Sequence, residues 1–324
     1  MQKVLIIAYY WPPAGGPGVQ RWLKFVKYLP EFGYQPIVYI PENPNYPILD
    51  KDLVKEIPER VKILKNPIKE PYRWASLISK KKTKSISSGI IPEKKSSLVE
   101  RILLWIRGNF FIPDARKAWV KPSIAFLSKV IDEEKIKTVI TTGPPHSLHL
   151  IGMGLKYKYP IEWMADFRDP WTSIGYHKRL KLMASSARKH KTMEHDVLNK
   201  ANKIIVTSQT TKQEFEKITQ KPIAVITNGY EQMSQSISKD QYFTLSHFGS
   251  LLTGRNPKNL WEALRELTDE NEEFRTSLRI QLAGVVGQEA LQSIEAMGLT
   301  NFIDLLGYLS HGKILKMQQE SQVL

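Results

Sequence analysis

The stretch Val4-Leu5-Ile6-Ile7-Ala8-Tyr9-Tyr10-Trp11-Pro12-Pro13-Ala14-Gly15-Gly16-Pro17-Gly18-Val19-Gln20-Arg21 decides how the rest of the chain is read. Its opening apolar run predicts a strand buried on both faces, the habit of parallel sheets. Prolines then fix the path of a loop, and glycines let backbone amides approach a ligand where the next helix begins. The loop is neither G-x-G-x-x-G nor a Walker loop, because Val19-Gln20-Arg21 follows Gly18 and no Gly-Lys-Ser/Thr occurs.

The same alternation continues outward. Strands are expected at Lys3–Ala8, Gln35–Ile40, Val61–Leu64, Thr138–Thr142, Ile161–Ala165, Lys203–Thr207 and Ile223–Thr227. Helices are expected at Val19–Phe32, Lys121–Glu133, Ser147–Lys158, Lys181–Asn199 and Thr210–Ile218. Apolar strands separated by helices make an α/β, doubly wound sheet. The polar run Tyr230–Gln241 reads as a linker between a first domain, 1–229, and a second, 242–324. There strands are expected at Tyr242–Phe248, Leu278–Ala283 and Phe302–Leu306. Helices are expected from Asn256 to Asp269, from Gln288 to Met297 and from His311 onward. With three strands and an apparent stop inside a helix, this domain is expected to be an incomplete, C-terminally truncated unit.

Composition narrows the partners. The 324 residues include no Cys, which excludes a thiol nucleophile, a thiolate metal site and an iron–sulfur cluster. No apolar run approaches a membrane span, and the chain enters its first strand without a basic leader, so a cytoplasmic protein is expected. The formal charge is +15, split as +18 over residues 1–240 and −3 over 241–324. A cationic first domain favours an anionic partner. The densest basic run, Lys80-Lys81-Lys82-Thr83-Lys84 with Lys94-Lys95, precedes the apolar Leu98–Arg107 segment bearing Trp105. This pairing reads either as a core helix beside a solvated loop or as a peripheral contact with an anionic membrane surface. Nucleic acid is disfavoured, since aromatics are not interleaved with the lysines.

Three segments in order carry a resemblance: Tyr9-Tyr10-Trp11-Pro12-Pro13-Ala14-Gly15-Gly16-Pro17-Gly18; Thr141-Thr142-Gly143-Pro144-Pro145-His146-Ser147 with Asp166-Phe167-Arg168-Asp169-Pro170-Trp171; and Phe248-Gly249-Ser250-Leu251 with Arg255-Asn256-Pro257-Lys258-Asn259. Together they resemble the retaining glycosyltransferases of family 4. The resemblance implies the GT-B fold, two Rossmann-like domains facing a cleft. It also implies transfer of a sugar from a nucleotide-diphosphate sugar to a lipid-linked or polysaccharide acceptor in cell-envelope glycan synthesis. Neither metal nor resident cofactor is expected; the sugar nucleotide is a co-substrate.

Site expectations follow. A diphosphate leaving group calls for amides and cations, so Gly249, Ser250, Arg255 and Lys258 are expected to hold it, with Gly16 and Gly18 approaching the same group. Tyr308 and Leu309 fall where the family holds the nucleobase, and Arg21 and Arg168 are assigned to the acceptor. His146, Asp166 and Asp169 end parallel strands and are the candidate catalytic groups; a core histidine and neutralisation by Arg168 are the structural alternatives. The paired glutamates of the family are expected beyond Leu324. Asp50-Lys51-Asp52 reads as a helix-start cap rather than a metal motif. A sugar-nucleotide epimerase on the same architecture and a non-catalytic membrane binder are the competing functions.

Overall fold

The computed structural model describes residues 1–70, 98–231 and 238–324. They fall into two compact units that part between Tyr230 and Glu231. The basic run at 80–84 and 94–95 lies outside the described residues, as does part of the expected linker.

In the first unit the order is β1 (Gln2–Ile7), α1 (Pro17–Tyr28), β2 (Tyr34–Pro41), β3 (Lys62–Asn66), α2 (Leu98–Phe110) and α3 (Lys117–Glu134). Then come β4 (Thr138–Gly143), α4 (Ser147–Lys158), β5 (Glu162–Phe167), α5 (Ala184–Lys200), β6 (Lys203–Val206), α6 (Gln209–Glu216) and β7 (Ile223–Val225). All seven strands join one parallel sheet in the order β3-β2-β1-β4-β5-β6-β7. Alternate residues of the first apolar run feed opposite cores. Leu5, Ile7 and Tyr9 pack with Tyr39, Trp119 and Val139, while Val4, Ile6 and Ala8 pack with Trp11, Trp22 and Val26. That two-sided burial is why the run has no polar alternation.

The strand order reverses between β1 and β4, so the connections leaving these two strands diverge to opposite faces. Open α/β sheets bind ligands in the crevice so formed, at the carboxyl ends of the strands. The two Gly/Pro loops, Pro12–Gly18 and Gly143–His146, both lie at this point.

The second unit contains β8 (Phe243–Phe248), α7 (Lys258–Glu270), α8 (Glu272–Ser277), β9 (Leu278–Ala283), α9 (Gln288–Ala296), β10 (Ile303–Gly307) and α10 (His311–Glu320). Its parallel sheet runs β10-β9-β8 over a core of Leu245, Trp261, Leu264, Ile280, Leu282 and Ile294. The chain does not stop inside a helix. Helix α10 ends at Glu320, and Val323 then makes a parallel bridge to Leu245, with Ser246 donating to the Val323 carbonyl at 2.9 Å. Ser321 turns inward to Ser246 at 2.7 Å, which draws the segment against the free edge of β8.

Other boundaries moved as well. Pro122 reads as a first-turn residue, yet α3 begins a turn earlier and carries Pro122 inside, because burying Trp119 against Tyr39 rewards the extra turn (rings stacked at 4.9 Å). In the second unit α8 was not expected; Asn271 caps it by accepting from the Phe274 amide at 2.9 Å. Asp50 accepts from the Asp52 amide at 3.1 Å, an Asx turn leading into the short helix Asp52–Glu56, whose cap position falls on Lys51 instead.

The ends of β8 and β9 approach so closely that Gly284 has φ 125° and a Cβ there would strike the Gly249 carbonyl. Substituting Gly284→Ala is expected to destabilise the second unit by about 2–3 kcal/mol. Gly312→Ala, in the first turn of α10 with open space around it, is expected to be neutral or slightly stabilising. Urea unfolding midpoints of the two variants check the contrast.

Candidate functional site

The first unit builds its edge around a buried ion pair. Arg21, one turn into α1, reaches across to Asp166 near the end of β5, Nη2 to Oδ1 at 2.9 Å, with both side chains almost fully buried. The second carboxylate oxygen accepts from Trp22 Nε1 and Thr142 Oγ1, each at 2.8 Å. Arg21 Nη1 also donates to the Thr227 carbonyl at 3.0 Å and to Asn228 at 3.2 Å. One side chain therefore ties α1 to β5 and to the segment leaving β7. This corrects two expectations. Asp166 has no exposed surface and is bonded at both oxygens, so it anchors the edge rather than facing a reactant. Arg21, expected at the acceptor, faces inward for the same reason.

Arg168 and Gly18 come together. The guanidinium lies against Gly18 so closely that a Cβ would collide with it, and its Nη2 donates to the Pro144 carbonyl. Burial lowers the Arg168 pKa, against the raising influence of Asp166 and Asp169. Asp169 itself is exposed at the rim. Gly16, with φ 106°, precedes Pro17 at the start of α1, which carries no side-chain cap and no acidic residue in its first turn. By contrast, the start of α4 is filled: Asp114 accepts from the Ser147 amide at 2.8 Å and hydroxyl at 2.9 Å. The open helix start and the cation are thus on the α1 side of the strand-order reversal.

His146 is 4% exposed and lies flat on Trp171, ring centroids 4.8 Å apart at an interplanar angle of 3°. Neither ring nitrogen has a hydrogen-bond partner. Burial holds its pKa well below the ordinary histidine range, reinforced by His149, Arg168, His177 and His190. His149, buried with Nδ1 2.8 Å from Thr141 Oγ1, is pushed down to about 3 by burial and then by Arg168. His190 accepts from Trp171 Nε1 at 3.2 Å and is lowered to about 4, first by burial and then by His177. The cluster is neutral at pH 7. His146, expected to be catalytic, is therefore an uncharged core histidine packed on Trp171 with both ring nitrogens buried, rather than an imidazolium facing a reactant.

A second charged knot sits nearby in sequence logic but was not foreseen. Tyr9 donates to Glu70 at 2.7 Å, Arg116 Nε pairs with Glu70 at 3.1 Å, and the guanidinium stacks 4.6 Å over the Tyr9 ring. Burial raises the Tyr9 phenol, so it stays protonated as a donor. Nothing in the spacing of these three residues signals the contact.

In the second unit, Gly249, Gly284 and Gly307 follow β8, β9 and β10 in turn, all with positive φ. Gly249 donates to the Ala283 carbonyl at 2.8 Å and Gly284 to the Gly307 carbonyl at 2.7 Å, which makes one continuous backbone rim. Gly284 was not expected; the repeated pattern of an apolar strand ending in Gly was its signal. Arg255 is exposed in the turn Thr253–Arg255 before α7. Lys258 opens α7 and pairs with Glu289 at 3.4 Å, so part of its charge is already met. Tyr308 is half exposed beside Gly307, next to the partly buried Leu309, and Ser250 lies between the Gly249 bend and Leu251. Asn256 is structural: it accepts from Trp261 Nε1 at 2.8 Å and donates to Ser293 at 2.9 Å. Among the described residues no group of three or more His, Asp or Glu is placed to hold a metal ion, and no helix is long and apolar enough to cross a membrane.

No family model and no curated protein matches the chain. Solved structures do. TarM is similar over 98% of this chain and 78% of its own, at 12% identity and a TM-score of 0.60. A TarM variant from S. aureus, in complex with fondaparinux, α-GlcNAc-glycerol and UDP, aligns over 95% of this chain and 78% of its own, at 11% identity and a TM-score of 0.55. A glycosyltransferase from Rickettsia africae ESF-5 covers 99% of this chain and 71% of its own, at 13% identity and a TM-score of 0.53. A Listeria monocytogenes protein described as a UDP-N-acetylglucosamine 2-epimerase covers 98% and 72%, at 12% identity and a TM-score of 0.51. The fold is GT-B. At such identities the likeness establishes architecture alone.

Two outcomes follow from the first unit. Asp166→Ala strands the Arg21 charge and is expected to cost about 3–5 kcal/mol in urea unfolding followed by tryptophan fluorescence. Below pH 6.5 the unfolded chain binds a proton at His149 that the folded chain refuses until about pH 3. Stability should therefore hold above pH 6.5 and fall on acidification through that window, with His149 alone contributing up to about 1.4 kcal/mol per pH unit. The His149→Gln variant should show a shallower slope by about one proton.

Proposed function

We propose that this chain is a glycosyltransferase that moves a sugar from a nucleotide-diphosphate sugar to a lipid-linked or polysaccharide acceptor of the cell envelope. The observation that carries the reading is the glycine rim Gly249–Gly284–Gly307, with Arg255 exposed in the turn that precedes α7, on a GT-B fold. Bare backbone at three adjacent strand ends admits a bulky anion, and a cation close to a helix start is unfavourable unless an anion joins it.

In this reading the second unit takes the donor. Arg255 and Lys258 neutralise the charge that grows on the diphosphate as the glycosidic bond breaks, so the step needs no metal. Tyr308 and Leu309 flank the base. In the first unit, the uncapped start of α1 at Gly16–Gly18 and the Arg168 guanidinium favour anionic oxygens of a bound substrate. His146, held neutral with both ring nitrogens buried, backs this edge of the sheet by stacking on Trp171. Asp169, exposed at the rim, is the carboxylate free to meet an acceptor or stabilise oxocarbenium charge. Retention of configuration goes with the family resemblance, and a membrane-borne acceptor at the cytoplasmic face agrees with the +18 charge of residues 1–240.

The likeness to an epimerase favours one alternative, isomerisation of the donor with no acceptor. Incubating sugar nucleotide alone and resolving the products separates the two: an isomerised sugar overturns the transferase reading. For the donor site, calorimetric titration with UDP, GDP and ADP is expected to give one tight nucleotide. Arg255→Glu with Lys258→Glu should weaken it about 100-fold or more, as two charge-assisted contacts are lost. Unchanged affinity refutes the assignment of these two residues.

A further inference from the structure

Helix α2 turns its apolar arc outward. Leu104 and Gly108, four residues apart, face the protein, whereas Ile102, Leu103, Trp105 and Phe110 are 51%, 39%, 37% and 57% exposed. A surface helix ordinarily shows solvent its polar arc. Here Arg101 is exposed and Arg107 half-buried, and the four apolar side chains share the exposed surface with them. The orientation is fixed rather than incidental. Gly108 lets the helix approach until a Cβ would strike the Leu180 carbonyl and the Leu182 side chain. Asn109 donates to the Trp105 carbonyl at 2.8 Å and the Lys181 carbonyl at 3.3 Å, and accepts from the Met183 amide at 2.8 Å.

The segment so clamped is strongly cationic. Residues 180–191 carry Lys181, Arg188, Lys189 and Lys191, all exposed, and no Asp or Glu. Met183, 43% exposed, adds an apolar side chain where this segment meets α2. We propose that the exposed face of α2, together with the basic segment fixed against it, docks on an anionic lipid bilayer. The aromatic and aliphatic ridge enters the interface while the cations pair with lipid phosphates. A second copy of this chain is the poorer occupant, because a twofold contact would bring two sets of the same exposed cations, Lys181, Arg188, Lys189 and Lys191, together. The inference rests on the reading above in taking the acceptor to be membrane-borne, and it names the residues that meet that membrane.

Flotation of the full chain with phosphatidylcholine vesicles, with and without phosphatidylglycerol, tests it. Binding is expected only with the anionic lipid and should fall as salt rises. Trp105→Glu with Phe110→Glu, both exposed, should reduce binding about 10-fold or more, and so should Arg188→Glu with Lys189→Glu on a separate helix. Equal flotation on both vesicle types, or wild-type flotation by both double variants, overturns the proposal. So does a wild-type dimer in light scattering that becomes a monomer in Trp105→Glu/Phe110→Glu. UDP titration on the same preparation is an independent readout: nucleotide binding without flotation rejects the lipid surface alone, and flotation without nucleotide binding supports the surface while rejecting the donor reading.

Discussion

Asp166 brings a carboxylate to the carboxyl end of β5 with no solvent exposure, a placement that costs several kcal/mol unless every lone pair is met. Arg21, Trp22 and Thr142 meet them from two different elements. Because Arg21 also holds Thr227 and Asn228, the pair sets where α1 starts relative to β4, β5 and the exit from β7. The glycine loop, Arg168 and His146 all take their positions from elements joined in this way. A buried ion pair of this kind gives geometry more than net stability, and here geometry is what the edge requires.

With that frame fixed, the chemistry of the first unit is set by desolvation. Four histidines and an arginine crowd one another with little access to water, so the rings remain neutral. The second unit works by the opposite means: exposed backbone at glycines and exposed cations, with no buried charge at the rim. Helix α2 adds a third kind of surface, apolar residues turned to solvent beside a carboxylate-free segment.

Where the sequence was informative, it was so for local reasons. The apolar runs at Val4–Ala8 and Thr138–Thr142 are legible as doubly buried strands because a parallel strand between helix layers has no solvent face to encode. Glycines and prolines at strand exits are legible because few other residues tolerate those dihedral angles. Leu278–Ala283 and Ser147–Lys158 were recovered to the residue. The misplaced start of α3 and the unforeseen α8 mark the limit: burial of Trp119 and the Asn271 cap outweighed the local pattern around Pro122 and Glu272.

The sequence by itself determined the two-unit α/β architecture, the strand-exit loops and the split of charge between first and last parts of the chain. Those properties depend on neighbours along the chain and on composition. Only the tertiary structure decided which charged residues are spent on each other. Arg21 and Asp166 are separated by 145 positions, Tyr9 and Arg116 by 107, and no spacing rule links them. It alone also decided that His146 is neutral and that α2 faces outward with its apolar side, because desolvation and exposure are set by what packs nearby in space.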